Sequence, residues 1–324
     1  MAAIGLMRIT VLHHDHCFDG FASAAVFSRL LIEKIRPDAD VSYTGLSHKP
    51  NQKFIEEELF TGDENAIVDF KYSPSERLTW WFDHHQSAFL SPEDEKHYYQ
   101  GQCATKFYDP AYKSCTKFIA DIAAQKYGFD PAGLAELIHW ADIIDGAQYE
   151  NAKAAVDLEA PALQLMLVIE ASRNPALMEK IIRQMQTRKL AGIVADPDVS
   201  AEFRPLFEHH NETLKIIQQV AEAERGVVYF DLSGYDAVGY SKFIPYYLFP
   251  DIAYSVGVSL SPNRSKISVG FNPWSPVPRR HNLASICERY DGGGHAVVGA
   301  ISLRSDQIET ARKIAAEIVS ELRS

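Results

Sequence analysis

Short apolar runs that end in charged residues recur along the first part of the chain. Residues 7–14, 65–70 and 78–85 are rich in β-branched or aromatic residues, and each run closes on acidic or histidine side chains. Residues 19–36, which follow the first run, carry apolar residues at helical spacing. Strands that alternate with helices predict a parallel α/β sheet, in which ligands bind beyond the carboxyl ends of the strands.

From about residue 113 the pattern becomes helical and later returns to strands. Helices are predicted over residues 114–128, 130–146, 161–171, 174–191 and 206–224. Strand-like segments follow at residues 225–232, 252–261 and 266–274. A short helix at 281–290, a glycine-rich stretch and a final helix complete the chain. The pattern predicts an α/β protein with a parallel-sheet domain over 1–190, a helical linker over 191–224 and a smaller α/β domain over 225–324.

Side chains that bind metals collect at the predicted strand ends. The carboxylates and imidazoles concerned are His14, Asp15, His16, Asp19, Asp69, Asp83, His84 and His85, with Asp142 and Asp145 on the helix at 130–146. Aspartate and histidine bind Mn, Mg or Zn ions. Four segments with mixed ligands suit a two-metal hydrolytic site, in which two cations hold the attacking and leaving oxygens of a phosphoryl transfer.

Each of these residues also has a simpler interpretation. Asp69 could cap a turn, and Asp145 beside Gly146 could merely end a helix. Cys17 could be a metal ligand or a small buried residue. The metal interpretation is favoured because three strand ends close on ligand-type residues, and solvated charges have no reason to collect there.

A glycine-rich stretch, "DGGGHAVVGA" at residues 291–300, forms a second candidate site. Consecutive glycines allow a close backbone approach to a ligand, and His295 could donate to a phosphate beside their amides. Arg279 and Arg280 precede it and would suit a phosphate, although they could equally be surface charges. The stretch could also be an ordinary glycine-rich turn.

Composition limits the ligand and the compartment. The 324 residues carry a formal net charge of −11, which disfavours binding to long nucleic acid because such binding neutralises many phosphates. A small phosphorylated substrate in a local pocket remains compatible with that charge. The chain has no apolar run of membrane-spanning length and no signal-peptide pattern, and its four cysteines lack paired spacing. These features predict a cytoplasmic protein without a membrane partner.

Together these motifs resemble the DHH/DHHA1 phosphoesterases. The turn "HHDHCFDGFASA", Asp69 in "IVDF", "FDHH" at 82–85 and "GGGH" at 292–295 occur in that family's order. The resemblance implies an N-terminal DHH domain with a metal centre and a C-terminal DHHA1 domain. It also implies two Mn²⁺ ions, with Mg²⁺ or Co²⁺ as alternatives. The expected substrates are short oligonucleotides or small phosphorylated nucleotides, and a homodimer is expected as a possible assembly.

The resemblance also assigns roles to individual positions. Asp69 matches the carboxylate that bridges the two metals, and Asp19 matches a ligand of one of them. His84 matches the metal-binding histidine, His85 the substrate-facing one, and Asp83 a residue that orients the pair. The remaining assignments are Asp142 as the helical ligand with Asp145 as its competitor, and Gly292, Gly293, Gly294, His295 and Arg280 as substrate-phosphate contacts.

The first motif departs from the family's usual His-x-Asp-x-Asp-Gly. Here His14, Cys17 and Asp19 form a His-x-x-Cys-x-Asp-Gly variant, so that His14, Asp15 or His16 is expected to complete one metal shell. This departure leaves a second hypothesis open, a catalytically impaired nucleotide-binding or regulatory protein of the same fold. Hydrolysis of inorganic pyrophosphate or polyphosphate is a third. The leading prediction is a metal-dependent phosphoesterase.

Overall fold

The computed structural model describes residues 6–49, 52–101, 103–237 and 239–324. It divides into two compact units, one formed by residues 1–149 with 159–203 and the other by 150–158 with 204–324. The boundary between residues 203 and 204 lies inside one long helix, Pro197–Val220.

The strands of the first unit form a parallel sheet. They are Arg8–His14 (β1), Asp40–Leu46 (β2), Glu64–Val68 (β3), Trp80–Asp83 (β4) and Lys106–Tyr108 (β5). Their order across the sheet is β2-β1-β3-β4-β5, and every neighbouring pair is parallel. In this arrangement the strand order reverses between β1 and β3, and a crevice opens beyond the carboxyl ends of these two strands.

Helices cover this sheet and continue into the second unit. They are Phe18–Leu30 (α1), Pro92–Gln100 (α2), Cys115–Tyr127 (α3), Ala135–Asp145 (α4), Ala152–Val156 (α5), Pro161–Ala171 (α6), Pro175–Met185 (α7), Leu190–Val194 (α8), Pro197–Val220 (α9), Ile244–Leu248 (α10), Leu283–Glu288 (α11) and Ile308–Leu322 (α12). A π-helical turn over Leu31–Ile35 extends α1.

Helix α1 lies in the centre of the first unit. Nearly all of its side chains are buried, because it packs on β1 and is itself covered by α3, α4 and α7. Gly20, in its first turn, lies against the end of β1. A Cβ atom at Gly20 would stand 2.2 Å from the carbonyl oxygen of His14, so only glycine allows this approach. The contact fixes the beginning of α1 beside the carboxyl end of β1.

The second unit contains a mixed sheet in the order β10-β11-β9-β8-β7-β6. Its strands are Glu222–Glu224 (β6), Val227–Asp231 (β7), Tyr254–Ser261 (β8), Arg264–Phe271 (β9), Gly293–His295 (β10) and Val298–Leu303 (β11). One face of this sheet packs Val256, Val258, Ile267 and Val269 against apolar side chains of α11 and α12. Strands β8 and β9 form an antiparallel hairpin whose turn lies between Ser261 and Arg264.

The α/β class and the parallel first sheet confirm the expectation from the sequence. Strands β2 and β5 and helix α2 were not predicted, since their apolar positions are few. The helix expected over 206–224 was wrong at both ends, because α9 runs from Pro197 to Val220 and residues 222–224 form β6. Within the described ranges, no helix combines the length and apolar character that a membrane span requires.

Candidate metal centre

Acidic and histidine side chains meet at the carboxyl ends of β1, β3 and β4. His14 is the last residue of β1, Asp69 follows β3 directly, and Asp83 ends β4. These ends lie side by side because the strands are parallel and adjacent in the sheet. Asp69 has a positive φ of 58°, a conformation that aspartate tolerates better than most residues. The sheet alone therefore brings three of the predicted segments together.

The side chains form two groups with the composition of metal sites. His14, Asp69 and His85 form one group, and Asp19, His84 and Asp145 form the other. Within each group the potential ligand atoms all lie within 4.8 Å of one another. Asp69 also approaches the second group, since its Oδ1 lies 3.3 Å from His84 Nε2. A carboxylate between two cation sites would reduce the repulsion between the cations.

The orientation of His84 is set by the backbone. Its Nδ1 lies 3.1 Å from the carbonyl oxygen of Tyr112, which accepts the Nδ1 proton. In the neutral ring this bond leaves Nε2 unprotonated. Nε2 points toward three carboxylates, at 3.3 Å from Asp69, 3.4 Å from Asp145 and 3.7 Å from Asp19. Metal-binding histidines in proteins are held in this way, with the second nitrogen bonded to an outer partner.

Buried negative charge dominates the electrostatics around His84. Burial opposes a charge on this imidazole, but the adjacent Asp69 and the charges of Asp19 and Asp145 raise its pKa to about 10. Burial and the charge of Asp69 raise the pKa of Asp145 to about 6. Burial likewise raises the pKa of Asp19, and Asp69 and Asp145 add to the effect. The cluster therefore attracts a cation, either a proton or a metal ion.

Asp19 is held by the beginning of α3. Its Oδ2 accepts the backbone N–H of Cys115 at 2.7 Å, and its Oδ1 accepts that of Thr116 at 3.0 Å. The amino end of a helix carries partial positive charge, which favours a carboxylate there. The side chain is completely buried. Helix α3 thus fixes Asp19 in its place within the second group, and the amino end of the helix partly compensates the negative charge of Asp19.

Asp83 positions the two histidines that follow it. Its Oδ1 accepts the backbone N–H groups of His84 and His85 at 2.8 and 3.2 Å. The same oxygen lies 2.7 Å from His85 Nδ1 and accepts that proton. Burial opposes a charge on His85, but Asp83 and Asp69 raise its pKa to about 9. His85 is about one-third exposed, so it is the histidine of this pair that solvent reaches.

The Cys17 thiol donates to Asp69. Its Sγ lies 3.7 Å from Asp69 Oδ2, which also receives the Nδ1 proton of His14 at 3.3 Å. Burial, followed by the charges of Asp69 and Asp19, raises the pKa of Cys17 well above its ordinary value. The structure thus gives Cys17 a hydrogen-bonding contact with Asp69.

Three predicted metal ligands lie outside both groups. Asp142 Oδ1 accepts the hydroxyl proton of Ser114 at 2.5 Å, while Asp145, one turn later on α4, enters the second group. Asp15 accepts the backbone N–H of His16. The His16 ring contacts Arg173, whose Nη1 lies 2.6 Å from Nε2. His14 is therefore the histidine of this turn that faces Asp69, beside the Cys17 thiol.

The residues present fit divalent cations. Carboxylate and imidazole ligands suit Mn²⁺, Mg²⁺ and Co²⁺, and two separate groups would hold two ions. In the described part of the chain, the buried Oδ1 of Asp69 and Nε2 of His84 have no hydrogen-bond partner. Buried polar atoms are normally paired, and these two face the centre of the cluster. Bound cations would satisfy both.

Comparisons with solved structures agree with this architecture. A pGpG-specific phosphodiesterase, PggH from Vibrio cholerae, superposes with a TM-score of 0.69 at 18% identity, over 97% of this chain and 99% of that chain. A DHH domain described as belonging to a family of ribosomal proteins gives 0.61 at 13% identity, over 98% of this chain and 88% of that one. RecJ from Thermus thermophilus in complex with Mn²⁺ gives 0.57 at 14% identity, over 97% of this chain and 52% of that one.

The chain has the DHH/DHHA1 phosphoesterase fold. At these identities the match establishes the fold, and it covers almost the whole chain. No family model matches the sequence, and no curated protein matches it either. The DHH fold is therefore recognised here from the backbone and from the few residues at the strand ends.

In the DHHA1 part of this fold, the predicted phosphate-binding stretch is a short strand at one edge of the sheet. Gly293, Gly294 and His295 form β10 and pair with β11 only. Gly294 has a φ of 152° and lies so close to β11 that a Cβ atom would stand 2.2 Å from the carbonyl oxygen of Val298. The His295 side chain is exposed. The stretch is thus an exposed edge strand, and its binding role stays a prediction.

The residues just before this strand have structural contacts. The Arg279 guanidinium donates through Nη1 to the carbonyl oxygens of His281 and Ala296, and the Arg280 backbone N–H donates to the hydroxyl of Tyr254. The Arg280 side chain is exposed. Asn272, in the segment after β9, is buried and donates to the carbonyl oxygens of Pro250 and Ile252. Arg279 therefore braces the loop, and Arg280 stays a predicted contact.

Sequence reasoning missed several groups that complete the centre. The Tyr112 carbonyl and the amides of Cys115 and Thr116 are backbone atoms, which no side-chain motif reveals. All three belong to the segment around the beginning of α3. The Ser114 N-cap pattern was the available signal, because it places a helix amino terminus at this point.

Proposed function

We propose that this chain is a metal-dependent phosphoesterase that hydrolyses short oligonucleotides or small phosphorylated nucleotides. The observation that carries the proposal is His84, whose Nδ1 is held by Tyr112 while Nε2 faces three carboxylates, two of which, Asp19 and Asp69, are completely buried. Such a concentration of buried carboxylates is costly for folding unless cations are bound there. The fold match to phosphodiesterases is consistent with this chemistry.

The proposed ligands are the residues of the two groups other than His85. Asp19, His84 and Asp145 would hold one cation, and His14 and Asp69 the other, with Asp69 between them. Divalent cations bound there would polarise a phosphoryl oxygen and lower the pKa of a bound water. Manganese is the first choice for both sites, and Mg²⁺ or Co²⁺ are alternatives.

His85 is proposed as the substrate-facing residue. Asp83 accepts its Nδ1 proton at 2.7 Å, which orients the ring, and the negative charge of Asp83 favours the protonated form. The Nε2–H is then available to a non-bridging phosphate oxygen. A fixed donor of this kind stabilises the charge that develops on phosphorus in the transition state. In the hydrolysis itself water adds to phosphorus, the ester P–O bond breaks, and the leaving alcohol takes a proton.

The class of substrate follows from charge and from the second unit. A net charge of −11 is unfavourable for long nucleic acid, which agrees with a short substrate. Gly292, Gly293, Gly294, His295 and Arg280 are proposed as contacts to a substrate phosphate, because the sequence resemblance assigns them that role. Their exposed or partly exposed positions are compatible with it.

The test compares four substrates after divalent cations have been removed and Mn²⁺ has been added back. The substrates are bis-p-nitrophenyl phosphate, a 5′-phosphorylated dinucleotide, a nucleoside 3′,5′-bisphosphate and inorganic pyrophosphate. We expect Mn²⁺-dependent hydrolysis of one of the first three. Asp63→Asn is the matched control, because the exposed Asp63 pairs with Arg8 at the beginning of β1, and His14 lies at the other end of that strand. Absence of turnover on all four, or turnover that survives Asp69→Asn, would refute the proposal.

A further inference from the structure

The turn end of the β8–β9 hairpin carries a cavity of about 200 Å³ that the proposed reaction does not use. The strand register places Ser259 opposite Lys266 and Ser261 opposite Arg264. Side chains of paired residues lie on the same face of a sheet, so two cations and two hydroxyls line one face together. The opposite face is the apolar one that packs on α11 and α12.

Among the described residues, the cations of this cavity have no acidic partners. Lys242, Arg264 and Lys266 line it, and none of its described lining residues is acidic. No carboxylate of the described residues forms an ion pair with any of the three. Burial lowers the pKa of Lys266, since its ammonium group is only partly reached by water. These cations lie together although the chain as a whole has a net charge of −11.

Hydroxyl groups complete the wall of the cavity. Ser259, Ser261, Ser268 and Tyr240 contribute four hydroxyls. Tyr240 reaches this position because residue 257 is glycine: a Cβ atom there would stand 2.5 Å from the tyrosine oxygen. Ser261 already bonds the backbone of Arg264, and Tyr240 bonds Ser268. Among the described residues, the site therefore offers three cations and the Ser259 hydroxyl, whose proton can rotate toward an acceptor.

The cavity is separate from the glycine-rich edge of the same sheet. Register pairs place Val298 opposite both His295 and Gly270, while Lys266 lies four residues further along β9. At about 3.3 Å per residue, Lys266 lies about 13 Å along the sheet from the row formed by His295, Val298 and Gly270. Tyr246 covers the surface near Gly270, where a Cβ atom would stand 2.2 Å from its hydroxyl oxygen. The cavity is thus a second place on this sheet where an anion could bind.

We propose that this cavity binds a phosphate group, either free phosphate or the phosphorylated end of a nucleotide. Three positive side chains and the Ser259 hydroxyl match the several acceptor oxygens of a tetrahedral phosphate. The volume accommodates a phosphate and excludes most larger ligands from complete burial. The proposal goes beyond the proposed function and does not depend on it, because the cavity contains none of the proposed metal ligands.

Equilibrium dialysis with ³²P-labelled inorganic phosphate tests the site in protein freed of divalent cations by a chelating resin. We expect saturable binding of one phosphate per chain. Lys266→Met keeps the apolar stem of the side chain and should weaken binding about tenfold, the loss expected for a charge-assisted hydrogen bond. Arg264→Gln at the exposed turn should weaken it similarly, so the test does not depend on one variant folding.

Lys313→Met is the matched control, since it removes one exposed positive charge from α12 of the same unit. It should bind phosphate as the unsubstituted chain does. Equal binding by all variants, or no saturable binding, would overturn the proposal. Loss of binding in His295→Ala but not in Lys266→Met would also overturn it, because the phosphate would then lie at the glycine-rich strand.

Two further probes distinguish the source of the phosphate. A dinucleotide with a 5′-phosphate and the same dinucleotide without it are tested as competitors of the labelled phosphate. If only the phosphorylated form competes, and competes less well in Lys266→Met, the pocket holds a nucleotide end. If neither competes while inorganic phosphate binds and depends on Lys266, the ligand is free phosphate.

Discussion

The candidate metal centre and the glycine-rich strand differ in how far the protein itself prepares them. At the metal centre, Asp19 and Asp69 are completely buried and each has fixed partners. At the glycine-rich strand, His295 is exposed and β10 is paired on one side only. A buried centre is arranged before any ligand arrives, whereas an exposed strand leaves most of its geometry to the ligand.

This difference has an energetic consequence. Buried carboxylates that face one another oppose folding, and bound cations would remove that opposition. An exposed histidine has almost no effect on folding, because water solvates it in both states. Substitutions at the metal centre should therefore change catalysis and stability together, whereas substitutions at the glycine-rich strand should change substrate binding alone.

The largest effect is expected for Asp69→Asn. Loss of a direct ligand should exceed the roughly 10- to 100-fold loss of activity that follows removal of an outer partner. The apo variant should melt at a lower temperature than the unsubstituted apo chain, because His14, His84 and His85 pair with the Asp69 carboxylate and lower its pKa in the folded state. Thermal melting and turnover, each with and without Mn²⁺, measure the two effects. An apo variant that melts at the same temperature or higher would show that the Asp69 carboxylate does not stabilise the metal-free fold.

A second test separates Asp145 from Asp142 on the same helix. Asp145→Asn should reduce Mn²⁺-dependent turnover and the stabilisation by Mn²⁺, because Asp145 belongs to the second group. Asp142→Asn removes the acceptor of the Ser114 hydroxyl and should cost less activity. At a metal concentration of 100 times Kd, binding stabilises a fold by about 2.7 kcal/mol, which melting can resolve. A larger loss in Asp142→Asn would return the ligand role to Asp142.

An intermediate effect is expected for Asp83→Asn. Asp83 accepts hydrogen bonds from the His85 ring and from the backbone N–H groups of His84 and His85. The change should therefore act through the position of His85. Activity should fall about 10- to 100-fold. The pH profile should shift as well, since the charge of Asp83 helps to keep His85 protonated. As pH rises, the rate of the variant should therefore begin to fall at a lower pH than the rate of the unsubstituted enzyme, because His85 loses its proton earlier. An unchanged profile with reduced activity would indicate a merely structural role.

The glycine-rich strand should show a smaller effect. His295→Ala should raise KM about tenfold if one charge-assisted contact to substrate is lost. The stabilisation by Mn²⁺ should not change, because the proposed ligands all lie in the first unit. Val297→Ala, two residues away and exposed, is the matched control. A loss of Mn²⁺ stabilisation in His295→Ala would contradict the contrast between the two regions.

The smallest effect is expected for Asp196→Asn, because a lysine of the protein itself pairs with the Asp196 carboxylate. Lys180 and Gln184 hydrogen-bond Asp196 and lower its pKa to about 2. A lowered pKa in the folded state stabilises the protein above the unfolded value, near 4, and this contribution is lost as pH falls toward 2. Asp196→Asn should therefore reduce stability at pH 7 by no more than ~1 kcal/mol, since Lys180 is partly exposed. The difference in unfolding free energy between Asp196→Asn and the unsubstituted chain, measured by urea unfolding, should disappear by about pH 2.

The strand-end residues lie close together, as the sequence predicted, because parallel strands bring their carboxyl ends to one edge. Their role as ligands stays a prediction. His14, Asp69, Asp83 and His84 needed only that rule. Asp142 and Asp145 lie three residues apart on one helix, and helical spacing alone does not decide which of them reaches the cluster. The position of Ser114 decides it, and Ser114 belongs to a different helix cap.

Cys17 shows a second limit of sequence reasoning. Its place in the first motif raised the question of a lost ligand, and its contact with Asp69 spans 52 residues of sequence. Such a contact depends on how β3 lies beside β1, which the motif does not encode. The weakly apolar strands β2 and β5 were missed for a related reason, since they are the edge strands of the sheet.

The packing of Gly20 against His14 limits how this site can be transplanted or evolved. Any side chain at residue 20 would push the helix away from the strand and move Asp19 with it. A designer who grafts the ligands onto another strand–helix unit must therefore copy a residue that binds nothing. During divergence the same residue should tolerate no exchange even where ligands are replaced. An alignment of remote relatives could accordingly use the glycine at this position as its fixed point.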